Sequence, residues 1–259
     1  MEFERHCELI VEQAGLLADH LSGRTGKELC TTVPSCPGWN VGQLVRHVGG
    51  AHREATVIAR TGVAPADDEF RDPTHWYAEP PTDEEVPELR AWLNAGAREL
   101  VGALRDAGPD RPIQMPIENP TTRFTARRMA HETVMHRADA ALALGAPYVL
   151  DAEVAEDGID EWMELGALPF HFEVHPWMRE MLGPGRTLKF QASDVGRAWV
   201  VDLTGDAIRW RHSDEPTSVT VRGPATDVLL HLYKRRNGSI EVNGDKDLLD
   251  YYLERVSFG

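Results

Sequence analysis

The chain has no apolar run approaching the roughly 20 residues of a membrane-spanning helix. It has only three cysteines, Cys7, Cys30 and Cys36, and no C-x-x-C pair. That excludes a disulfide framework and a cysteine-rich zinc site, leaving ordinary reduced thiols. Positive charge is scarce too: 27 Lys and Arg stand against 42 Asp and Glu, a net charge of −15. The basic clusters are short, as at Arg127-Arg128 and Lys234-Arg235-Arg236. A surface of that sign repels phosphate backbones, so no nucleic-acid partner is expected. The start, Met1-Glu2-Phe3-Glu4-Arg5-His6, does not lead from a basic segment into an apolar core. A cytoplasmic protein without a membrane partner is the expectation, and nothing bears on oligomeric state. Internal repeats and low-complexity tracts are absent.

What is present suffices for a buried core: 42% apolar residues in 259, enough for one large domain or two ordinary ones. The first half reads as helices. Cys7, Ile10, Val11, Ala14, Leu17, Ala18 and Leu21 recur at helical spacing and predict a helix over about Glu2 to Leu21. Asn40, with Gln43 three residues on, predicts a capped start for a second helix to about Ala59. Trp39 is expected to anchor that start in the core. An acidic connection from Pro65 to Pro81 leads to a third helix near Glu84 to Arg105, striped by Leu89, Trp92, Leu93, Ala97, Leu100 and Leu104. The fourth runs from about Phe124 to Leu144. Four helices of this length predict a four-helix bundle over 1–148.

After Gly145-Ala146-Pro147 one more helix is expected, from Asp151 to Leu165, and then the period falls to two. Leu188/Phe190/Ala192, Trp199/Val201/Leu203, Ile208/Trp210/His212 and Val219/Val221 predict antiparallel strands. A helix from Pro224 to about Arg236, a strand at Ser239–Val242 and a helix from Lys246 to Arg255 complete an α+β domain over 149–259. The fold class is therefore α+β, in two domains.

The chemistry concentrates in His131-Glu132-Thr133-Val134-Met135-His136. Glu132 and His136 are four residues apart, so on a helix they stack one turn above the other and can face one cation. His131, five positions before His136, points about 140° away. The spacing differs from H-E-x-x-H, which excludes the metalloprotease arrangement. Alone, the pair reads equally as a surface Glu–His contact, but Arg128, Glu132, Met135, Asp139 and Leu142 share one side of the helix. Burying that much charge is costly without compensation. Asp139 is placed to accept the second ring N–H of His136, or to pair with Arg128. A third metal ligand must come from elsewhere; the second helix offers His47 and His52, and periodicity does not choose between them.

The run Pro37-Gly38-Trp39-Asn40-Val41-Gly42-Gln43-Leu44-Val45-Arg46-His47, with Glu132-x3-His136 and a tail of Gly223-Pro224-Ala225, Leu229-Leu230, Arg235, Val242-Asn243-Gly244-Asp245 and Leu248-Leu249, resembles the mycothiol-dependent maleylpyruvate isomerase family over nearly the whole chain. The resemblance implies a DinB-like bundle binding zinc through His47, Glu132 and His136, and a sterol-carrier-like second domain. It implies mycothiol, the small thiol of actinobacteria, as cosubstrate and a small electrophile as its target. Two imidazoles and a carboxylate leave one position of a zinc tetrahedron open, the mark of a catalytic site. Isomerisation of maleylpyruvate and S-transfer to another electrophile both fit.

His52 and Arg128 are expected to contact the cofactor, and Arg235 and Asp139 to serve catalysis. Arg235 occupies a position where members of that family carry Arg, and Arg46, Arg53, Arg123 and Arg137 are further candidates for carboxylate binding. His171 and His175 fall in an expected loop. Cys36 is read as a packing residue, with no His at nucleophile spacing. Two other readings stay open: a small-molecule binding module without catalysis, and a metal-dependent hydrolase.

Overall fold

The computed structural model describes residues 1–65, 85–115, 117–235 and 238–256. These divide into two compact units, Met1–Tyr148 and Val149–Gly259. The first contains α1 (Phe3–His20), a four-residue α2 (Gly26–Leu29), α3 (Val41–Thr61), α4 (Val86–Ala107) and α5 (Thr122–Leu144). The expected acidic connection lies outside the described residues from 66 onward.

Helix α3 begins where its residues dictate. Asn40 Oδ1 accepts from the Gln43 backbone N–H at 2.9 Å and Gln43 Oε1 accepts from the Asn40 N–H at 2.9 Å. This reciprocal cap satisfies two donors that the helix cannot. Gly62, at φ 81°, ends it. Just before the cap, Val33 N–H donates to Trp39 O at 2.9 Å and Val41 N–H to Thr31 O at 3.0 Å. The 33–39 segment is thereby closed into a tight loop at the head of α3.

Helices α1, α3, α4 and α5 form the bundle, with α1 and α3 each packed on both α4 and α5. Arg60 pairs with Glu99 and Arg53 hydrogen-bonds Trp92 O, so α3 and α4 run parallel. Between α1 and α4 the order reverses: Arg90 meets Asp19 while Arg105 meets Glu4, so these two are antiparallel. Helix α5 is the most enclosed. Ala126, Ala130, Val134, Ala138 and Ala141 are fully buried, and their small side chains let neighbouring helices close around it. Such a helix is expected to hold polar residues only where something satisfies them.

The second unit contains α6 (Ala152–Gly166), a short α7 (Phe170–Val174), a 3₁₀ turn (Pro176–Met181), strands β1 (Thr187–Ala192), β2 (Arg197–Asp202), β3 (Arg209–His212) and β4 (Val219–Gly223), then α8 (Ala225–Leu232), β5 (Glu241–Gly244) and α9 (Lys246–Arg255). The sheet order is β3-β2-β1-β4-β5. Three pairings are antiparallel, but β1 and β4 are parallel, which corrects the all-antiparallel expectation. Alternation specifies which face a residue takes, not which way a neighbour runs. The 213–218 segment carries the chain back to β1's far side, and Lys189 Nζ holds it through Asp214 Oδ1 at 2.9 Å. Helix α8 also stops at Leu232 rather than near Arg236, because Lys234 turns left-handed at φ 58°. Leu188, Phe190, Val219 and Val221 are fully buried, with α8 packed on β1 and β4.

Gly244 closes β5 at φ +103°, where an added Cβ meets Ser218 O at 2.2 Å. Gly244→Ala is expected to cost about 2–3 kcal/mol by combined strain and backbone clash. A lowered urea midpoint checks this, and an unchanged one would show that the β4–β5 register does not need the close approach.

Candidate metal centre

Helices α3 and α5 lie side by side and bring together three of the residues singled out from sequence. His47 Nε2 is 3.2 Å from Glu132 Oε1, and His136 Nε2 is 3.0 Å from the same oxygen. The two imidazole rings meet edge to face with centroids 4.9 Å apart. One donor atom from each of the three lies within 4.8 Å of the others. His47 and Glu132 side chains keep 32% and 22% of their exposure and His136 keeps 8%, so the cluster is reachable from solvent on the His47 side.

The surrounding groups fix these three. Arg128, one turn before Glu132, donates to Glu132 Oε2 at 2.8 Å, leaving Oε1 to face the imidazoles. Asp139 is fully buried, and its Oδ2 lies 2.9 Å from His136 Nδ1. Of the two roles open to Asp139, orienting His136 is the one the structure adopts. His131 is buried on another side of α5, edge-on to His6 at 6.1 Å, as its rotation predicts.

The loop before α3 supplies what sequence reasoning missed. Ser35 Oγ donates to Asp139 Oδ1 at 2.5 Å and Cys36 Sγ is 3.5 Å from Asp139 Oδ2. Trp39 is half-buried rather than a core anchor: its ring lies 4.7 Å from that of His47 and 6.5 Å from that of His136. The available signal was the loop's position at the capped head of the His47 helix. No spacing could link it to α5, about a hundred residues later.

Electrostatics follow from this packing. Burial works against a charge on Glu132, yet His136, His47 and Arg128 outweigh it and hold the carboxyl well below its ordinary range. Burial likewise opposes a charge on His136. The Glu132 carboxylate, helped by Asp139 and Cys36, reverses that and raises the imidazole well above its usual value. The cluster is therefore built to hold a cation, and a proton on His136 is the simplest one.

Other expected site residues fall elsewhere. His52 is fully buried between α3 and α5, with Nε2 2.9 Å from Thr133 Oγ1. Burial, and then Arg53, push it down to about 3, so it is a neutral core histidine with no surface open to a cofactor. Arg53 stacks on Trp92 at 3.9 Å and Arg137 is buried over Tyr148 at 4.2 Å. Arg123 pairs with Asp110 at the surface. These three arginines serve packing or surface pairing rather than carboxylate binding. Arg235 belongs to the second unit, where it donates to Tyr233 O at 2.7 Å. His171 and His175 lie in or beside α7 rather than in an open loop, and His171 Nε2 meets Leu165 O at 2.8 Å.

Comparison with known proteins agrees with this architecture. Residues 11–141 match the family model described as the mycothiol maleylpyruvate isomerase N-terminal domain, and residues 153–251 match the MDMPI C-terminal domain. Among solved structures, the chain is similar to a mycothiol-dependent maleylpyruvate isomerase at 15% identity and TM-score 0.65, covering 94% of this chain and 93% of that one. A histidine-to-alanine variant bearing the same name gives 14% identity and TM-score 0.64 over the same shares. At such identities the likeness shows the fold. No curated protein sequence matches the chain.

Proposed function

Because the chain belongs to the mycothiol maleylpyruvate isomerase family, we propose that it is a zinc-dependent enzyme that directs mycothiol onto a small electrophile, with His47, Glu132 and His136 as the metal ligands. The observation carrying this reading is the convergence of three donor atoms from two helices on one point. The donor set fits the ion: two imidazole nitrogens and a carboxylate oxygen are zinc's preferred partners, and they leave a position open. Donor separations of 3.0 and 3.2 Å approach the edge of about 3.4 Å in a tetrahedron of about 2.1 Å bonds.

Zinc held there supplies the Lewis acidity that makes an incoming thiol a thiolate near neutral pH. The remaining work belongs to the chain. Asp139 accepts from His136 Nδ1 and so keeps Nε2 unprotonated toward the ion. Arg128 occupies Glu132 Oε2, which fixes the carboxylate to one oxygen. Trp39 covers one side of both imidazoles and limits water there. The thiol sulfur forms a bond to the electrophilic carbon and the thiol proton passes to solvent; on S-transfer a thioether results as a leaving group departs with the bonding electrons, or as the neighbouring carbon of an opened double bond takes up a proton. In isomerisation the adduct rotates about the former double bond and the thiol is expelled again.

The test is zinc-loaded protein, mycothiol and an electrophile: thioether or isomer forms, and omission of either zinc or mycothiol abolishes it. Turnover that continues without thiol would overturn the reading in favour of hydrolysis, and stoichiometric ligand binding without turnover would favour a binding module.

A pH dependence follows from the shifted groups. The raised His136 value means that, without metal, the imidazole keeps its proton to higher pH than a free imidazole does. Zinc must displace it, so binding is expected to release about one proton and tighten about tenfold per pH unit up to the His136 value. Titration calorimetry in buffers of different ionisation enthalpy measures that proton. A pH-independent zinc affinity between about pH 6 and 7 would contradict it.

A further inference from the structure

A cavity of about 300 Å³ extends along α3 and α5, and Arg128, which bonds Glu132, is one of its lining residues. Its walls are mainly Ala51, Ala55 and Ile58 of α3 and Phe124 and Met129 of α5, with Met115 from the preceding segment. The location follows from helix periodicity. Ala51 and Ala55 stand four and eight residues after His47, on its face of α3, about 6 and 12 Å along the axis. Arg128 and Phe124 stand four and eight before Glu132 on α5. The cavity therefore lies on the side of both helices that carries the proposed ligands, with Arg128 between the two.

Among its described lining residues charge is nearly balanced. Arg128 is the cationic one of these, and Glu132 engages that guanidinium at 2.8 Å. Glu54, also on the lining, adds a negative charge. A carboxylate seated against these walls, away from the ligand triad, loses hydration without gaining a surplus cation among the described lining residues, which is unfavourable. An uncharged apolar body gains burial against alanine, isoleucine, phenylalanine and methionine side chains. The volume is at the small end for ligand sites and suits one substituted aromatic ring.

Building on the zinc and mycothiol reading above, we infer that this cavity seats the body of a neutral, aromatic or similarly apolar electrophile, with Ala51 and Ala55 setting its size, and that dicarboxylates are poor substrates. In the step so favoured, sulfur bonds to the electrophilic carbon, a leaving group such as chloride departs with the bonding electrons, and the thiol proton goes to solvent.

The test compares zinc-loaded wild type with Ala55→Phe and the milder Ala55→Leu. Substrates are chlorodinitrobenzene (neutral aryl), acrylamide (small neutral) and maleylpyruvate (dianion), each with mycothiol. Zinc content of each variant reports folding of the bundle. Calorimetric titration with unreactive nitrobenzene reads the cavity apart from any thiol chemistry. Wild type is expected to prefer chlorodinitrobenzene over maleylpyruvate in kcat/KM by at least about tenfold. Ala55→Phe is expected to lower the chlorodinitrobenzene-to-acrylamide ratio by about tenfold or more and to abolish nitrobenzene binding, with Ala55→Leu intermediate. If Ala55→Phe loses zinc, Ala55→Leu carries the comparison. A preference for the dianion, an unmoved ratio in a zinc-retaining variant, or no nitrobenzene binding by wild type would each overturn the inference. Nitrobenzene binding that Ala55→Phe removes, with no thiol consumed from any substrate, would uphold the cavity and defeat the mycothiol reading instead.

Discussion

Glu132→Ala protein, purified beside the wild type and dialysed against chelator-treated buffer, is expected to hold under about a tenth of the wild-type zinc and to lose mycothiol-dependent turnover by about a thousandfold or more. The reason is geometric. Glu132 Oε1 is the atom both imidazoles approach, at 3.2 and 3.0 Å, so its removal leaves two histidines with no shared anionic partner. It also leaves Arg128, previously bonded to Oε2, beside those histidines, which adds repulsion against any cation. Elemental analysis gives the metal and a thiol-consumption assay the activity. Full zinc retention would place the ion elsewhere and remove the basis of the proposed function.

Replacing Asp139 is expected to act at one remove. This carboxylate is fully buried and bonded to His136 Nδ1, Ser35 Oγ and Cys36 Sγ. Asp139→Ala should weaken zinc binding about 10–100-fold, since His136 loses the acceptor that fixes its tautomer and ring plane. Breaking the buried pair should also lower stability by about 3 kcal/mol. The stability loss carries a pH signature in chelator-treated protein. His136 is raised in the folded state, so its contribution is complete below about pH 6.5 and fades as pH rises through the folded value. The gap between wild type and Asp139→Ala is therefore widest below about pH 6.5 and narrows as pH rises through the folded value. Asp139→Asn, which keeps an acceptor oxygen without the charge, should fall between the two. Zinc affinity unchanged in Asp139→Ala would show that His136 is held by packing alone.

Much of this molecule was legible before any coordinates. The Asn40/Gln43 cap, the helices at Phe3–His20, Val41–Thr61, Val86–Ala107 and Thr122–Leu144, and the strands from Thr187 onward rest on local periods and local hydrogen bonds. The Glu132/His136 pair was legible for the same reason, since four residues on one helix bring two side chains together whatever surrounds them. Helix direction was not. The parallel run of α3 and α4 and the parallel pairing of β1 with β4 depend on where long connections return, and an apolar stripe is the same read either way.

Sequence by itself determined which residues form elements and that Glu132 and His136 share a helical face, because those are interactions within a few residues along the chain. The resemblance had already pointed to His47, but only the tertiary structure set its imidazole against Glu132 and His52 in the core, placed Ser35 and Cys36 on Asp139, and turned Trp39 against the two imidazoles. Those contacts join segments 80 or more residues apart in most cases, such as His47 with Glu132 at a separation of 85. Their geometry is fixed by how α3 and α5 pack. His52 differs from His47 by five positions, a rotation of about 140° that turns one into the core and the other toward the carboxylate.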